Sequence, residues 1–489
     1  MQVSYRRLKE LTGLDWSAEQ MADRLTLSGL NCESVESMAR YLNNVVVGQI
    51  LSLDEIPGAS KIRKAVVDIG SEKLTVVCGA PNAAVGQKVA LAKVGAELAG
   101  GMKISRATIR GNESSGMICS ESELGLSADH SGTMVLEPSV AIGRPLAEQL
   151  ELDDYVLNFE ITPNRGDALS AIGVARDLAA LAGIKVKRPE IRLHEAKEKA
   201  ADMFKVRSDD PVGCPRFTAR IIRNVKMGPS PWWMQRVLLA AGVRPISNVV
   251  DITNYVMLET GNPMHAFDLD RFGSREVVVR RATAGEKFAT LDGKEHTLTN
   301  EVLLVTNGKR PVAAAGVMGG LDSEVSTDTQ NILLEVAYFN PIVIRKSRRE
   351  LGINSEASYR FERGVDPNNV ERASARAAQL LADLCGGEVL AGAVDWYPQP
   401  IHPKTVTLRP SRCHQLLGAD IPIETMKKIL GDLELTASGG DPISVTVPTF
   451  RSDIEKEIDL IEEVGRIYGY DRIPDSIENK GPLFTPMHP

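Results

Sequence analysis

The sequence has no uninterrupted apolar run approaching the roughly 20 residues that a membrane-spanning helix needs. Basic residues in the opening MQVSYRRLKELTGLDW are not followed by the apolar stretch of a secretory signal, so we expect no such signal and no membrane association. The cysteines are scattered and form no CxxC pair, which argues against a zinc site or a disulfide framework and favours a reducing cytoplasm. They are Cys32, Cys78, Cys119, Cys214, Cys385 and Cys413.

Several motifs of enzyme chemistry are also missing. The sequence contains no glycine-rich phosphate loop, no GxSxG nucleophile motif and no Cys–His motif. A hydrolytic activity would therefore depend on a positioned water molecule rather than on a protein nucleophile. The net charge is −7, so the molecule as a whole does not attract polyanions, and binding to nucleic acid would need local basic patches.

Between about residues 40 and 148 the sequence is dominated by short β-rich runs separated by glycine, proline and asparagine. This texture predicts a small closed barrel such as an OB-fold. Aromatic residues that could stack on nucleic-acid bases are nearly absent from this part of the chain. The predicted strands are Val45–Leu53, Ala65–Ile69, Leu74–Cys78, Lys88–Ala92 and Met102–Arg110.

Helical patterns flank the predicted barrel. Ser17 and Gln20 form a capping-box pattern, and apolar residues at helical spacing predict a helix near 169–183 that ends at Gly183. A proline-rich stretch around 398–403 predicts a linker into a last small domain. The fold class that we predict is multidomain α+β: an inserted OB barrel, a large mixed α/β domain and a small C-terminal α+β domain.

Eight segments, in the order in which they occur, resemble the β subunits of bacterial phenylalanine–tRNA ligases, and together they cover essentially the whole chain. They are VVCGAPN (Val76–Asn82), RGNESSGMICSESELGL (Arg110–Leu126), ITPNRGDALSAIGVARDLAAL (Ile161–Leu181), RPISNVVDITNYVMLETGNPMHAFDLDRF (Arg244–Phe272), GVMGG (Gly316–Gly320), LLEVAYFNP (Leu333–Pro341), SYRFERGVDP (Ser358–Pro367) and DLIEEVGRIYGYDRIP (Asp459–Pro474).

The resemblance implies a division into domains. We expect a discontinuous first domain (1–38 and 149–200), an OB-fold tRNA-binding domain (39–148), an aminoacyl-tRNA editing domain (210–395), a small α+β domain with an acidic helix (404–475) and a linker-like tail (476–489). Family β chains continue into further domains beyond this point, so we expect the chain to be C-terminally truncated.

The resemblance also implies partners and an activity. In the family an α subunit attaches phenylalanine to tRNA using ATP and Mg²⁺, within an α2β2 heterotetramer. The β subunit binds tRNA and hydrolyses mischarged Tyr-tRNA, and it binds no DNA. Two other interpretations stay open: a stand-alone hydrolase that edits Tyr-tRNA in trans, and a noncatalytic tRNA-binding truncated protein.

Editing has a physical motive, because a pocket for phenylalanine excludes tyrosine by only roughly a hundredfold through binding alone. By position in the motifs, Glu335 would accept the tyrosine hydroxyl, and Arg244 and His265 would line the ester side. Gly316 and Gly319 would let backbone approach the ligand closely. Ser355 and Ala357 would be small pocket residues. A structural role for His265, and an ion pair of Glu335 with Arg360 or Arg363, are the alternatives.

Two further sets of residues are candidate sites. Asp459, Glu462 and Glu463 share one face of a predicted helix, and Asp453 would reach in from its start. Spacing alone favours an acidic first helical turn, whereas the resemblance implies a Mg²⁺ site shared with the α subunit. The candidate tRNA surface of the barrel, with a solvated strand face as its alternative, consists of Lys61, Arg63, Lys64, Lys103, Arg106 and Arg110.

Overall fold

The computed structural model describes residues 1–473. The predicted tail 476–489, and the end of the predicted domain 404–475, lie outside these residues. The described part of the chain is a mixed α+β multidomain structure, as the sequence predicted. None of its helices, in residues 1–473, is long and apolar enough to cross a membrane.

The chain begins with a small sheet that it completes only after the barrel. The first elements are β1 (Gln2–Ser4), α1 (Tyr5–Thr12), α2 (Ala18–Leu27) and β2 (Cys32–Ser37). The side chains of Ser17 and Gln20 form the predicted capping box at the start of α2, each bonding the other's backbone N–H.

The next elements build a nearly closed barrel sheet in the order β10-β6-β3-β4-β5, with β9 also paired to β6. The strand predicted over Met102–Arg110 is wrong in its length. Gly100 and Gly101 have φ of 79° and 80° and the chain then forms a loop. Only Ala107–Ile109 is a strand, and within residues 1–473 it pairs with β8 alone. The elements are β3 (Val45–Glu55), β4 (Arg63–Asp68), β5 (Lys73–Cys78), β6 (Lys88–Lys93), β7 (Ala107–Ile109), β8 (Asn112–Ser114), β9 (Gly116–Ile118), β10 (Val135–Leu136) and α3 (Leu146–Gln149).

After the barrel the chain returns to the first sheet. β11 (Tyr155–Phe159) lies between β1 and β2 and is antiparallel to both. The predicted helix near 169–183 is confirmed as α4 (Ala171–Ala182), capped by the Ser170 side chain and ended by Gly183 in the left-handed conformation.

The large middle unit contains two mixed sheets, in the orders β12-β23-β14-β22-β15 (with β24 on β14) and β13-β16-β19-β20-β21. One apolar core joins the two sheets, and helices α6, α7 and α11 contribute to a second core on the other face of the first sheet. The elements are β12 (Glu195–Lys199), α5 (Ala200–Met203), β13 (Lys205–Ser208), β14 (Arg216–Arg223), α6 (Trp232–Ala240), α7 (Asn248–Thr260), β15 (Met264–Asp268), α8 (Leu269–Phe272), β16 (Glu276–Arg281), β17 (Lys287–Ala289), β18 (Glu295–Thr297), β19 (Leu303–Thr306), β20 (Pro311–Ala314), β21 (Met318–Gly319), β22 (Ile332–Tyr338), α9 (Pro341–Leu351), α10 (Glu356–Phe361), α11 (Val370–Cys385), β23 (Glu388–Ala391) and β24 (Val394–Trp396).

The last described unit is a three-stranded sheet in the order β25-β27-β26, with helices that share its core. Buried Ala180 of α4 belongs to the same core, so this unit packs against the first one. Its elements are β25 (Lys404–Leu408), α12 (Pro410–Leu417), α13 (Ile423–Asp432), β26 (Thr436–Gly439), β27 (Ile443–Val447) and α14 (Glu457–Tyr468).

Candidate functional site

A cavity of about 290 Å³ opens in the middle unit, where α7, β15, β22 and the segment around β21 meet. Its size is at the lower end of the range for small-molecule pockets. Six of the seven residues predicted for the editing pocket line it. The lining residues are Asn254, Met257, Pro263, Met264, His265, Leu291, Ala313, Ala314, Gly316, Val317, Met318, Gly319, Glu335, Ser355, Glu356, Ala357 and Phe361.

Glu335 lies on β22, between β14 and β15, where its neighbours along the strand are apolar and buried. Its side chain is buried, and its Oε2 atom has no hydrogen-bond partner among residues 1–473. Burial raises the pKa of Glu335 to about 8. The carboxyl group is therefore protonated and uncharged at neutral pH, and it has an unused polar atom to offer to a ligand.

The ion pair that was the alternative for Glu335 does not form. Arg360 donates Nε to the backbone carbonyl of Leu169 and Nη1 to the Glu356 carboxylate. Arg363 donates Nη1 to the Glu362 carboxylate and stacks over the Tyr359 ring. Both guanidinium groups bond other acceptors, although Nε of Arg363 has no partner in residues 1–473, so neither compensates the burial of Glu335.

His265 faces Glu335 across the antiparallel pair of β15 and β22. Its ring packs edge-to-face on Phe267, with centroids 4.5 Å apart, and its Nε2 atom has no hydrogen-bond partner in the described chain. Burial lowers the pKa of His265 to about 4, so the imidazole is neutral at physiological pH. A neutral imidazole with a free nitrogen can accept or donate a proton.

The two predicted glycines bring backbone close to the cavity side chains. A Cβ atom on Gly319 would lie 2.7 Å from Cε1 of His265, and one on Gly316 would lie 2.8 Å from Cδ2 of Phe361. Gly316 also has φ of 64°, which side-chain-bearing residues rarely adopt. Both positions therefore require glycine for the cavity to keep its present shape.

Ser355 and Ala357 stand at the start of α10. The Ser355 hydroxyl donates to the Val317 carbonyl at 2.7 Å and accepts the Ser358 N–H at 3.1 Å. It thus fixes the helix start against the β21 segment, and its rotamer is held in place. Ala357 adds a small apolar surface to the wall.

Arg244 does not line the cavity. It is exposed, in the segment before α7. The backbone N–H of Ser131 lowers the pKa of Asp129, and the charge of Arg244 lowers it further, which places Arg244 on the side of the barrel. Its predicted role near the ester stays a prediction.

Sequence reasoning missed several cavity residues. Asn254 and Met257 project from α7, Leu291 follows β17, and Phe361 closes α10. No pattern singled out Asn254, because α7 has several other polar residues, among them Asp251 and Thr253. No sequence pattern indicated Leu291 either. It lies in the turn between β17 and β18, and its backbone N–H bonds to the Gly319 carbonyl at 3.1 Å.

The predicted basic residues of the barrel are placed differently from one another. Arg63 donates Nη2 to the carbonyls of Ala80 and Ala83, at 3.0 and 3.1 Å, so it holds a loop rather than facing solvent freely. Lys103 and Arg106 are exposed and lie 3.8 and 4.0 Å from Glu97 and Glu113. Arg110 occupies the exposed turn of the β7–β8 hairpin, Lys61 is exposed, and Lys64 lies on β4.

Two of the four predicted magnesium ligands are held by arginines. Arg451 donates Nε and Nη2 to the two oxygens of Asp453, at 2.9 and 2.8 Å, and Nη1 to Glu463 at 2.6 Å. Arg466 donates Nε and Nη2 to Glu463, at 2.8 and 2.6 Å. Although burial opposes it, the guanidinium groups of Arg466 and Arg451 hold the pKa of Glu463 well below its usual range.

The other two carboxylates do not complete a ligand set. Asp459 Oδ2 accepts the backbone N–H groups of Glu455 and Lys456, at 2.8 and 2.7 Å, and Glu462 is exposed. Within residues 1–473 no three His, Cys, Asp or Glu side chains are arranged to hold a metal ion. All four line one cleft of about 500 Å³ that four arginines also line. This set does not fit a magnesium ion held by the chain alone, and a site shared with a partner stays a prediction.

Three parts of the chain match known protein families. Residues 45–145 match a family described as a putative tRNA binding domain. Residues 213–386, which contain the cavity, match the B3/4 domain. Residues 406–470 match the tRNA synthetase B5 domain.

Three relatives that align with nearly the whole chain share one name. The chain is 48% identical over 482 residues to the phenylalanine–tRNA ligase beta subunit of Syntrophus aciditrophicus, covering 98% of this chain and 60% of the relative. It is 48% identical over 475 residues to that of Geobacter sulfurreducens (97% and 59%) and 47% identical over 492 residues to that of Geobacillus kaustophilus (98% and 60%). The chain thus spans about 60% of the length of these curated relatives.

Proposed function

The chain belongs to the phenylalanine–tRNA ligase beta-subunit family, and from this membership we propose that it binds tRNA and hydrolyses tyrosine wrongly esterified to it. The observation that carries the proposal is the cavity of residues 213–386, in which buried Glu335 keeps an oxygen without a partner in the described chain. The phenol of tyrosine has a hydroxyl that can bond to this oxygen, whereas the side chain of phenylalanine has none.

In this proposal the tyrosine ring lies against the apolar wall of the cavity, including Met257 and Phe361. The phenolic hydroxyl bonds to Glu335, which burial keeps uncharged at neutral pH. Phenylalanine would leave the polar atom of Glu335 unsatisfied, which costs about 1–3 kcal/mol. The site therefore favours hydrolysis of the wrong ester over the right one.

His265 is the candidate proton acceptor for a water molecule at the ester, because its imidazole is neutral and its Nε2 atom has no partner in residues 1–473. Gly319 lets the backbone approach the same region closely. Four more residues complete the proposed site. Arg244 would lie on its tRNA side, and its walls would include Ser355, Ala357 and Gly316. We assign no protein nucleophile.

The finer division of the chain is part of the proposal. We interpret the nearly closed sheet of residues 39–148 as an OB-fold that contacts tRNA, residues 210–395 as the editing domain, and 404–475 as the small domain with the acidic helix α14. The family matches at 45–145, 213–386 and 406–470 support this division.

The ligation reaction itself we assign to a complex in the cytoplasm. An α subunit would bind ATP and phenylalanine, in an α2β2 heterotetramer, and this chain would support it by binding tRNA. Magnesium would serve the complex. A shared site at Asp453, Asp459, Glu462 and Glu463 would need the partner to supply further ligands, because arginines hold two of these carboxylates here.

The test is hydrolysis of Tyr-tRNA and Phe-tRNA by the purified chain, with and without the α subunit of a relative. Faster release of tyrosine than of phenylalanine supports the editing function. If tyrosine is released only when the α subunit is present, the chain works as a ligase subunit; release without it would favour a hydrolase that acts in trans. Binding of tRNA with no release in either mixture would overturn the editing proposal and favour a noncatalytic tRNA-binding protein.

A further inference from the structure

Three residues that can carry a charge line the cavity of the middle unit: His265, Glu335 and Glu356. Burial leaves the first two mostly uncharged at pH 7, because it lowers the pKa of His265 to about 4 and raises the pKa of Glu335 to about 8. No lysine, arginine or aspartate of residues 1–473 lines this cavity. Glu356 therefore supplies the charge of the lining, and no role assigned above uses it.

Glu356 lies between the lining residues Ser355 and Ala357, and its side chain keeps 60% of its surface exposed. The guanidinium of Arg360 donates Nη1 to Oε2 of Glu356 at 2.6 Å and to the Glu356 backbone carbonyl at 3.0 Å. Nε of the same arginine bonds to the Leu169 carbonyl. A buried arginine therefore fixes the carboxylate where the cavity opens to solvent, and its second oxygen, Oε1, accepts no hydrogen bond from residues 1–473.

Two cations lie near this carboxylate, and both are outside the lining of the cavity. The side chain of Arg360 is only 2% exposed. The Met1 ammonium donates to the Phe159 carbonyl; burial lowers its pKa, and the charge of Glu356 opposes that shift. A ligand inside the cavity thus meets the Glu356 carboxylate without meeting either cation.

The charges of a possible ligand can be compared with this lining. An amino acid that is esterified to tRNA keeps its α-ammonium, whereas its carboxyl group is an uncharged ester. A free amino acid carries a carboxylate in addition. The lining offers a carboxylate to the ammonium, and hydrogen bonds between charged groups are roughly twice as strong as neutral ones. It offers no cation from residues 1–473 to a carboxylate, which would lie near a group of its own charge.

We propose that Glu356 determines specificity for the α-amino group, its carboxylate binding the α-ammonium of the esterified amino acid at the opening of the cavity. The inference rests on the proposed hydrolysis of Tyr-tRNA and adds a second point of recognition to Glu335. Hydrolysis consumes one water, breaks the bond between the carbonyl carbon and the tRNA oxygen, and returns a hydroxyl to the tRNA. The acid that forms gives its proton to solvent, so the product gains a negative charge beside Glu356, which favours its release.

The first experiment is a double-mutant cycle that changes the protein and the substrate. The substrates are Tyr-tRNA and the same tRNA esterified with deamino-tyrosine, in which a hydrogen replaces the amino group and nothing is added that could clash. Glu356→Gln should slow hydrolysis of Tyr-tRNA by about tenfold or more, because a bond between charged groups is lost. It should change hydrolysis of the deaminated ester by no more than about twofold. The different intrinsic reactivity of the two esters cancels in these ratios.

Two further variants complete the cycle. Glu371→Gln is the matched control, because Glu371 is also an exposed acid in the first turn of a helix and lies outside the cavity lining. Both esters should react with it as with the wild type. Glu356→Asp keeps the charge on a shorter side chain and should recover part of the lost rate for Tyr-tRNA. A purely structural role of Glu356, exerted through Arg360, would slow both esters alike.

The second experiment measures binding of small molecules to the whole chain by ligand-observed NMR and needs no hydrolysis. Tyramine has the phenol and the ammonium, tyrosine adds a carboxylate, and deamino-tyrosine has the carboxylate without the ammonium. Affinity should fall in that order, and Glu356→Gln should reduce the difference between tyramine and deamino-tyrosine. Glu335→Ala, which removes the proposed partner of the phenol, should weaken binding of tyramine and so locate it in the cavity.

The proposal is supported if Glu356→Gln slows only the ester that has an amino group and if tyramine binds best. It is overturned if that variant slows both esters equally or neither, or if the wild-type chain binds deamino-tyrosine as well as tyramine. A chain that releases tyrosine with no effect of Glu356→Gln keeps the editing function and loses this inference. A chain that releases no tyrosine but prefers tyramine through Glu356 loses the editing function and keeps the recognition of the ammonium.

Discussion

His265 and Glu335 are direct cross-strand partners on β15 and β22, and each has a buried polar atom without a hydrogen-bond partner in residues 1–473. Buried polar atoms in folded proteins are nearly always bonded, so two orphans side by side point to a ligand that supplies the missing bonds. Burial shifts their pKa values in opposite directions, to about 4 for His265 and about 8 for Glu335. At pH 7 both side chains are consequently mostly uncharged.

The first prediction concerns selectivity. Glu335→Ala should reduce hydrolysis of Tyr-tRNA relative to Phe-tRNA by about tenfold or more, because the bond to the phenolic hydroxyl is lost. Glu335→Gln keeps an acceptor oxygen of the same size and should lose less. Single-turnover release of each amino acid gives the ratio.

Glu295→Ala is the matched control, since this carboxylate is on the exposed strand β18 and outside the cavity. Its ratio of tyrosine to phenylalanine release should equal that of the wild type. If Glu335→Ala also leaves the ratio unchanged, Glu335 does not recognise the hydroxyl.

The second prediction concerns pH. Because the pKa of Glu335 rises from its ordinary value of 4.5 to about 8 in the folded chain, the native state retains a proton that the unfolded state has released. The contribution of Glu335 protonation to the free energy of unfolding is fully present below pH 4.5 and is lost as the pH rises through about 8. Relative to Glu335→Gln, the wild type should therefore lose on the order of a few kcal/mol of unfolding free energy over this window.

Urea unfolding of both proteins at several pH values measures this difference. The other titrating groups, including His265, are common to the two proteins and largely cancel. A difference that does not change with pH would mean that Glu335 ionises normally and has a partner in solution.

Local patterns were sufficient where a fold element depends on neighbours in sequence. The capping box of Ser17 and Gln20 and the helix between Ser170 and Gly183 are of this kind, because caps and apolar spacing act over a few residues. The strand predicted over Met102–Arg110 was wrong in length because strand pairing does not depend on local pattern alone. Its two preceding glycines allow a turn, and within residues 1–473 its strand partner is β8 alone, so Ala107 and Ile109 remain exposed.

The candidate site needed more than local pattern. The sequence marked Glu335 as a carboxylate that requires a partner or a ligand, but it could not decide between them. That choice depends on Arg360, whose guanidinium binds the carbonyl of Leu169, 191 residues away along the chain. The same applies to Glu463. Its bond to Arg466 is at helical spacing, but its bond to Arg451 and the bond of Arg466 to Asp177 depend on the fold.

The third prediction concerns Gly319. Its backbone allows alanine, but a Cβ atom would lie 2.7 and 2.8 Å from two ring atoms of His265 and 3.1 Å from Leu291. Gly319→Ala should therefore displace the imidazole and slow Tyr-tRNA hydrolysis by about tenfold or more, since small displacements of a proton acceptor are costly. Gly431→Ala, where a Cβ meets nothing within 4 Å, is the control. Equal rates in the two variants would show that His265 does not take part.

The last prediction separates two roles within the acidic helix α14. Glu463 is buried and bonds Arg451 and Arg466, and Arg466 also donates to Asp177 of α4 at 3.0 Å. Glu463→Gln would leave buried guanidinium charge without its full partner, so we expect a loss of about 3 kcal/mol or more of unfolding free energy. Glu462→Gln, one residue away and exposed, should change it by no more than about 0.5 kcal/mol.

Magnesium supplies the contrasting readout for the same two variants. If a shared ion holds the α subunit of the complex to this helix, Glu462→Gln should weaken the Mg²⁺ dependence of that association although the chain itself stays stable. Association measured by analytical ultracentrifugation, with Mg²⁺ and with EDTA, decides this. Equal association in both buffers for the wild type would exclude a metal role for Glu462. The role of the acidic helix would then be structural: through Glu463 and its arginines it joins the first and last units of the described chain.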